Sequence, residues 1–399
     1  MPAARLRPTA AFAVLVLTFT VVMTGTTMPT PMYSLYQQEL GFSAVVQTIV
    51  FAVYAIGVLA ALLLFGRWSD QLGRRPLLLA GLVAALLSSL VFLVAGPVWV
   101  LLVGRLLSGV SAGIFAGAAT AAVIEAAPPR WRPRASAVAT AANTGGLGLG
   151  PVLAGLAVQY LPAPLHLSFA VHAVAVLGCG ILVLLVPETV DVAEHPRLGT
   201  TPLAVPPPVR AVFAGAATAG FAGFAVLGLF TAVAPRIVTE IIGNPNHAVA
   251  GLVVFLLFAA STAAQLGLRG LPTGPALLAG CVLLAVGVLV IASALLTASM
   301  AALVTGAVLA GVGQGMAFSK GMAAVHERVD PGMRAAVTSS FFLVLYVAIS
   351  LPVVAVGAAS QAWGLVAAGV GLAVGVAVLA VVALVALLVL QRRPVRTPA

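Results

Sequence analysis

The chain has 399 residues, of which 62% are hydrophobic and 7% charged, and its net charge is +10. Soluble domains carry about 25% charged residues, so a soluble fold of this length would expose a greasy, aggregating surface. At about 20 apolar residues per membrane helix the apolar content suffices for about twelve spans, and long unbroken apolar runs exclude a β-barrel, whose strands alternate.

The rare charges punctuate the chain. Residues 8–38, between Arg7 and Glu39, predict a first span; Arg5 and Arg7 before an apolar run resemble a secretory signal, but more membrane protein follows, so this is a span. Residues 40–66 predict the second. Residues 76–124 hold two, broken at Ala95-Gly96-Pro97, and residues 135–187 hold two, broken at Leu161-Pro162-Ala163-Pro164. Residues 211–235 and 241–268 give one each. Residues 270–319 break near Thr297-Ala298-Ser299, and residues 335–391 near Ser360-Gln361-Ala362-Trp363. Twelve spans place both termini on one face. With that face cytoplasmic, all of the 19 basic residues except Arg105 and Arg236 fall on the inner side, as topogenic Lys and Arg do. The net charge is therefore a sidedness signal and not a nucleic-acid surface.

The longest inner loop carries Pro187, Pro196, Pro202, Pro206, Pro207 and Pro208. It divides the chain into a six-helix bundle over 1–186, a cytoplasmic linker over 187–210 and a second six-helix bundle over 211–399. The halves repeat: Gly81 matches Gly280, Gly109 and Gly113 match Gly311 and Gly315, Arg134 matches Arg334, and Pro151 matches Pro352, all at nearly half the chain length. Two parallel repeats of this kind are a transporter architecture. No Gly-x-x-x-x-Gly-Lys-Ser/Thr loop is present for ATP, Cys179 and Cys281 both sit in apolar runs, and no His, Cys and carboxylate cluster has metal-ligand spacing.

The loop after the second span reads Gly66-Arg67-Trp68-Ser69-Asp70-Gln71-Leu72-Gly73-Arg74-Arg75-Pro76. It resembles the signature loop of the major facilitator superfamily, Gly-x-x-x-Asp-Arg/Lys-x-Gly-Arg-Arg, with Gln71 where a base is usual. Arg105-Leu106-Leu107-Ser108-Gly109 in span four is similar to the family's second signature. Asn143-Thr144-Gly145-Gly146-Leu147-Gly148-Leu149-Gly150-Pro151-Val152-Leu153-Ala154-Gly155 in span five resembles the Gly-x-x-x-Gly-Pro-x-x-Gly-Gly motif of the drug/proton antiporter branches, with Ala154 replacing a glycine. The resemblance implies an all-α fold of twelve helices in two pseudo-symmetric bundles, which rock around a midplane site. It implies a secondary transporter, not an enzyme, that exports a small, amphipathic organic molecule in exchange for protons. A multi-pass monomer in a bacterial inner membrane, with lipid and substrate as partners, no ATP, no cofactor and the proton gradient as energy source, fits it.

Site residues follow from the same resemblance. Gly66, Asp70, Gly73, Arg74 and Arg75 belong to the gating loop, with Asp70 expected to meet the inner N-terminus of span eleven, whose helix dipole is positive there. Glu125 and Arg134 parallel Glu327 and Arg334 as inner-mouth charges. Arg105, costly in hydrocarbon, is a functional candidate, joined by Gly146, Gly150, Pro151 and Gly155 as packing and kink positions for coupling. Cavity walls are expected from spans one, four, seven and ten, with Thr24, Ser111, Phe115, Asn143 (in span five), Phe224, Thr231, Gln314 and Phe318 as textured candidates. None of the nine Asp and Glu residues lies deep in a predicted span, which leaves Glu125 and Asp70 as the titratable carboxylates of the inner mouth. His172 could relay a proton. Tyr33 and Tyr36 fit a membrane-interface belt, and Arg236 with Glu240 a local surface pair. Import of a neutral nutrient by a uniporter or symporter stays open as an alternative, and more distantly a non-transporting receptor or intramembrane enzyme.

Overall fold

The computed structural model describes residues 6–66, 68–190, 192 and 199–392. Arg5, Arg67, Arg197, Arg393 and Arg396 lie outside the described residues, as do the linker positions 191 and 193–198.

Among the described residues, 12 helices are long and apolar enough to cross a membrane: α1 (Pro8–Leu40), α2 (Ala44–Phe65), α3 (Arg74–Leu93), α4 (Val98–Glu125), α5 (Arg132–Tyr160), α6 (Leu167–Leu184), α7 (Pro207–Ile241), α8 (His247–Gly267), α9 (Thr273–Thr297), α10 (Met300–His326), α11 (Pro331–Trp363) and α12 (Leu365–Gln391). Side-chain caps start several of them: Ser43 accepts from Val46 N–H, Asn246 from Ala248 and Val249, and Ser299 from Ala302. Left-handed residues end others. Ala298 (φ 51°) closes α9 where small polar residues predict the break, and Gly364 (φ 84°) closes α11. α1 is interrupted: Pro8–Thr27 passes through a tighter 3-10 turn at Thr30–Met32 into Tyr33–Leu40. Here the structure departs from the interface belt expected of Tyr33 and Tyr36. Both are buried, 2% and 3% exposed, within the apolar cluster shared by the two bundles.

The repeat is visible as backbone packing. A Cβ at Gly109 or Gly113 of α4 would run into Tyr54 or Val58 of α2, and one at Gly311 or Gly315 of α10 into Leu257 or Ser261 of α8. Gly81 of α3 abuts Phe115 of α4, and Gly280 of α9 abuts Met316 of α10. Small residues let these helices approach closely where lipid supplies no hydrophobic drive.

Most described basic residues mark one face, called here the basic face. At the opposite, far face a single apolar cluster crosses between the halves, joining Met32, Tyr33, Tyr36 and Phe51 to Phe230, Val233, Ile237 and Val353. Polar bonds reinforce it: Gln47 Nε2 donates to the Ala232 carbonyl (2.9 Å), and His247 N–H donates to Gln159 Oε1 (2.9 Å). Toward the basic face the core separates into one cluster of the first bundle, around Phe19, Phe115 and Val183, and another of the second, around Val325, Val337 and Phe341. The bundles are thus joined at the far face and parted toward the basic face.

Candidate functional site

Between the parted bundles lies a cavity of about 320 Å³, within the size range of drug-sized ligand sites. α4 contributes Arg105, Ala112, Ala116 and Thr120 to it, a spacing that keeps one helical face on the cavity over about 22 Å. The far end, at Thr26, Thr27, Phe51, Tyr54 and Arg105, is blind. The other end reaches Thr140, Gln265, Phe318 and Phe342 toward the basic face. Phenylalanines supply much of the wall, and Phe224, Phe318 and Phe342 pack in sequence, each ring tilted 55° to the next, with centroids 5.5 and 6.1 Å apart.

Two helices carry a π-helical turn where they meet this cavity. Phe115–Ala119 interrupts α4 and Ala141–Gly145 interrupts α5. Such turns shift the register of everything after them and are frequent at functional sites. In α5 the turn carries Asn143 and Thr144, both cavity residues.

Asn143, Phe224, Thr231, Gln314 and Phe318 line this cavity. Thr231 spends its hydroxyl on the Leu227 carbonyl, and Gln314 Oε1 accepts from Ser261 (2.6 Å). Thr24, Ser111 and Phe115 do not line it. The Thr24 hydroxyl bonds the Thr20 carbonyl (2.8 Å) and the helix there packs on Gly150. Ser111 donates to the Gly81 carbonyl (2.7 Å), turning toward α3. Phe115 is wholly buried between Phe19 and Gly81. The expected wall of α1, α4, α7 and α10 is also incomplete. Phe51 and Tyr54 of α2, Thr140 and Thr144 of α5, Phe258 and Gln265 of α8, and Phe342 and Tyr346 of α11 share it. Isolated polar or aromatic residues in otherwise aliphatic spans, such as Tyr54, Gln265 and Tyr346, were the available signal.

Arg105 lies at the blind end. Its Nη1 donates to the Thr26 carbonyl (2.6 Å), and its guanidinium carbon sits 4.7 Å from the Tyr54 ring centroid and 5.7 Å from that of Phe51. Gly146 and Gly150 bring α5 against Met23 and Thr24 of α1. The Pro151 carbonyl packs on Gly251 of α8, and Gly155 meets the His247 backbone across the bundle interface. Gly146, Gly150, Pro151 and Gly155 are contact points between helices, none of them on the cavity wall, whereas Arg105 lines it.

At the basic face Arg74 organises a cluster. It grips Glu125 with two bonds (2.9 and 3.2 Å) and meets Asp70 (2.6 Å) and Ser69 (2.7 Å). Asp70 stands on a short helical turn, Trp68–Leu72, with its side chain 64% exposed. It makes no bond to α11 among the described residues, so the contact implied by the resemblance is not formed with the bundles parted here. Gly73 (φ 101°) turns the chain in a conformation that favours glycine. Glu188, not singled out by sequence, fills the space beside it. Its carboxylate accepts from the backbone N–H groups of Arg74 (2.7 Å) and Arg75 (3.1 Å), capping α3. Thr189 adds a bond to Glu125 (2.7 Å). Gly66 lies under Thr201, whose N–H donates to the Leu63 carbonyl (2.8 Å). Arg134 and Arg334 stand exposed at the basic-face ends of α5 and α11, with no ion pair among the described residues.

His172 is a clasp inside the first bundle. Its Nε2 is 3.1 Å from the Val21 carbonyl and its Nδ1 2.7 Å from Ser89 Oγ, with the ring seated on Gly25. A carbonyl only accepts, which places the proton on Nε2. Arg236 and Glu240 form the local pair (2.7 and 3.0 Å). Lys320 lies within α10, not in a loop, and its Nζ satisfies the carbonyls of Arg269 (2.8 Å) and Leu271 (2.7 Å).

Two six-helix bundles enclosing a cavity open to one side define a membrane transporter, not an enzyme. The description Major Facilitator Superfamily matches residues 15–353. The chain belongs to that family. It is 35% identical over 130 residues to the class E tetracycline resistance protein of Escherichia coli, covering 32% of each chain. It is 26% identical over 190 residues to multidrug resistance protein 2 of Bacillus subtilis (strain 168), covering 47% of each. The matched region thus spans about a third to a half of these curated relatives. Its fold is similar, with TM-score 0.74 and 16% identity over 98% of this chain and 99% of the other, to a bacterial homologue of the human lysosomal transporter Spinster, solved inward-facing and unoccupied.

Proposed function

We propose that this transporter exports small amphipathic organic molecules from a bacterial cytoplasm across the inner membrane, by alternating access and in exchange for protons. The observation that carries the reading is the blind cavity: apolar walls with a few polar groups, sealed at the far face by packed aromatic residues, accept a molecule from the basic face alone. Assigning the basic face to the cytoplasm follows the positive-inside rule and puts both termini there. The names of the resistance proteins to which part of the chain is similar support export over uptake. Asp70 and Glu125, gathered around Arg74 at the basic face, are the carboxylates to which this scheme assigns the coupling, and a monomer suffices because the whole cavity lies within one chain. No ATP and no cofactor take part in this scheme.

Accumulation of a fluorescent drug in cells with and without the gene, before and after a proton uncoupler, tests it. Lower accumulation with the gene, abolished by the uncoupler, is expected. Equal accumulation overturns export, while lower accumulation that survives the uncoupler overturns proton coupling alone. Higher accumulation with the gene would identify an importer.

A further inference from the structure

Arg105 is enclosed by protein and has no counter-charge. It is 2% exposed, yet it sits on the cavity wall, and among the described residues it is the one charged side chain there. A guanidinium offers five N–H donors. One bond goes to the Thr26 carbonyl, and Nε has no partner at all. The ion pairs among the described residues belong to Arg74 and Arg236. The Tyr54 and Phe51 rings screen the cation without neutralising it. A buried charge lacking a partner is a standing cost, and an anion arriving from the cavity would relieve it.

We propose that Arg105 docks the negative group of the transported molecule, so that the substrates are small amphipathic anions, carboxylates above all. This rests on the cavity being the transport site. The anionic group reaches the blind end, where charge-assisted bonds to the free guanidinium donors are strongest in the absence of water. The apolar body lies back along Phe224, Phe258 and Phe318. A cationic amphiphile of the same shape meets uncompensated positive charge and no carboxylate. A clamp role for Arg105, through Thr26 alone, would give the cavity no charge preference.

The test uses the full chain in nanodiscs of phosphatidylcholine, which has no net negative headgroup to compete. Three probes share one ring: 2-naphthylacetate, 2-naphthylacetamide and 2-naphthylethylamine, titrated by fluorescence at neutral pH. The acetate is expected to bind about tenfold or more tighter than the amide, with the amine weakest. Arg105→Gln should erase the preference, bringing the acetate down to the level of the amide, and Arg105→Lys should restore part of it. The amide or amine binding as tightly as the acetate overturns the proposal, as does a preference that survives in Arg105→Gln or no binding of the acetate. Should Arg105→Gln fail to fold, the ranking in the unaltered protein still decides. An amine preference with drug accumulation still lowered in cells would leave export standing and remove the anion.

Discussion

Gln47 Nε2 donates to the carbonyl of Ala232 at 2.9 Å, tying α2 of one bundle to α7 of the other at the far face. Both groups are buried, and the bond exists only while that face is closed. Its Oε1 has no partner, so the side chain contributes this one bond and little else. A bond of this kind contributes about 1 kcal/mol. Gln47→Ala should therefore shift the population of the far-side-open form upward about fivefold, read as a changed distance distribution between spin labels on Glu39 and Glu240. An unchanged distribution would show that apolar packing alone sets the closure.

Glycine contacts in α4 and α10 are close enough to be intolerant. Gly109→Leu would drive a side chain into the Tyr54 carbonyl, an overpacking worth about 1–3 kcal/mol. Gly178→Leu, on α6 with nothing within reach of a Cβ, should be neutral. Thermal denaturation of the purified variants compares them, and equal melting temperatures would contradict the packing described.

Asp70 is exposed and its pairing with Arg74 is local, so Asp70→Asn should cost about 0.5 kcal/mol or less in stability. If Asp70 meets α11 when the basic face closes, flux should nonetheless fall sharply at normal expression. Flux equal to that of the unaltered protein removes the gating role.

Asn143 lines the cavity, whereas Thr24 spends its hydroxyl inside its own helix. Asn143→Leu should alter which compounds are transported, and Thr24→Val should leave the profile intact. A resistance profile across a panel of compounds measures both. A profile change in Thr24→Val alone would mean that the cavity is not the transport site.

The helices and their pairing were legible because the scarcity of charge made each charged residue a boundary, and because glycines recur where backbones touch. Asn143, Phe224 and Gln314 stood out as textured residues, and they line the cavity. Thr24, Ser111 and Phe115 looked equivalent by depth alone. Depth says nothing of azimuth: Ser111 turns toward Gly81 of α3, and Thr24 toward its own helix. The burial of Tyr33 and Tyr36 was not legible, because position along the chain puts them near the membrane surface without saying that the opposite bundle covers them. Glu188 escaped notice because its partners are backbone N–H groups, which leave no trace in the side-chain sequence.

The positive charge of Arg105, with no acid beside it, bears on what powers a turnover. A monoanion leaving a cell while a proton enters moves two elementary charges in the direction favoured by an interior-negative voltage. Each is worth about 2.3 kcal/mol per 100 mV. Such a cycle is electrogenic, and a potassium diffusion potential set with valinomycin should drive it in liposomes of equal internal and external pH.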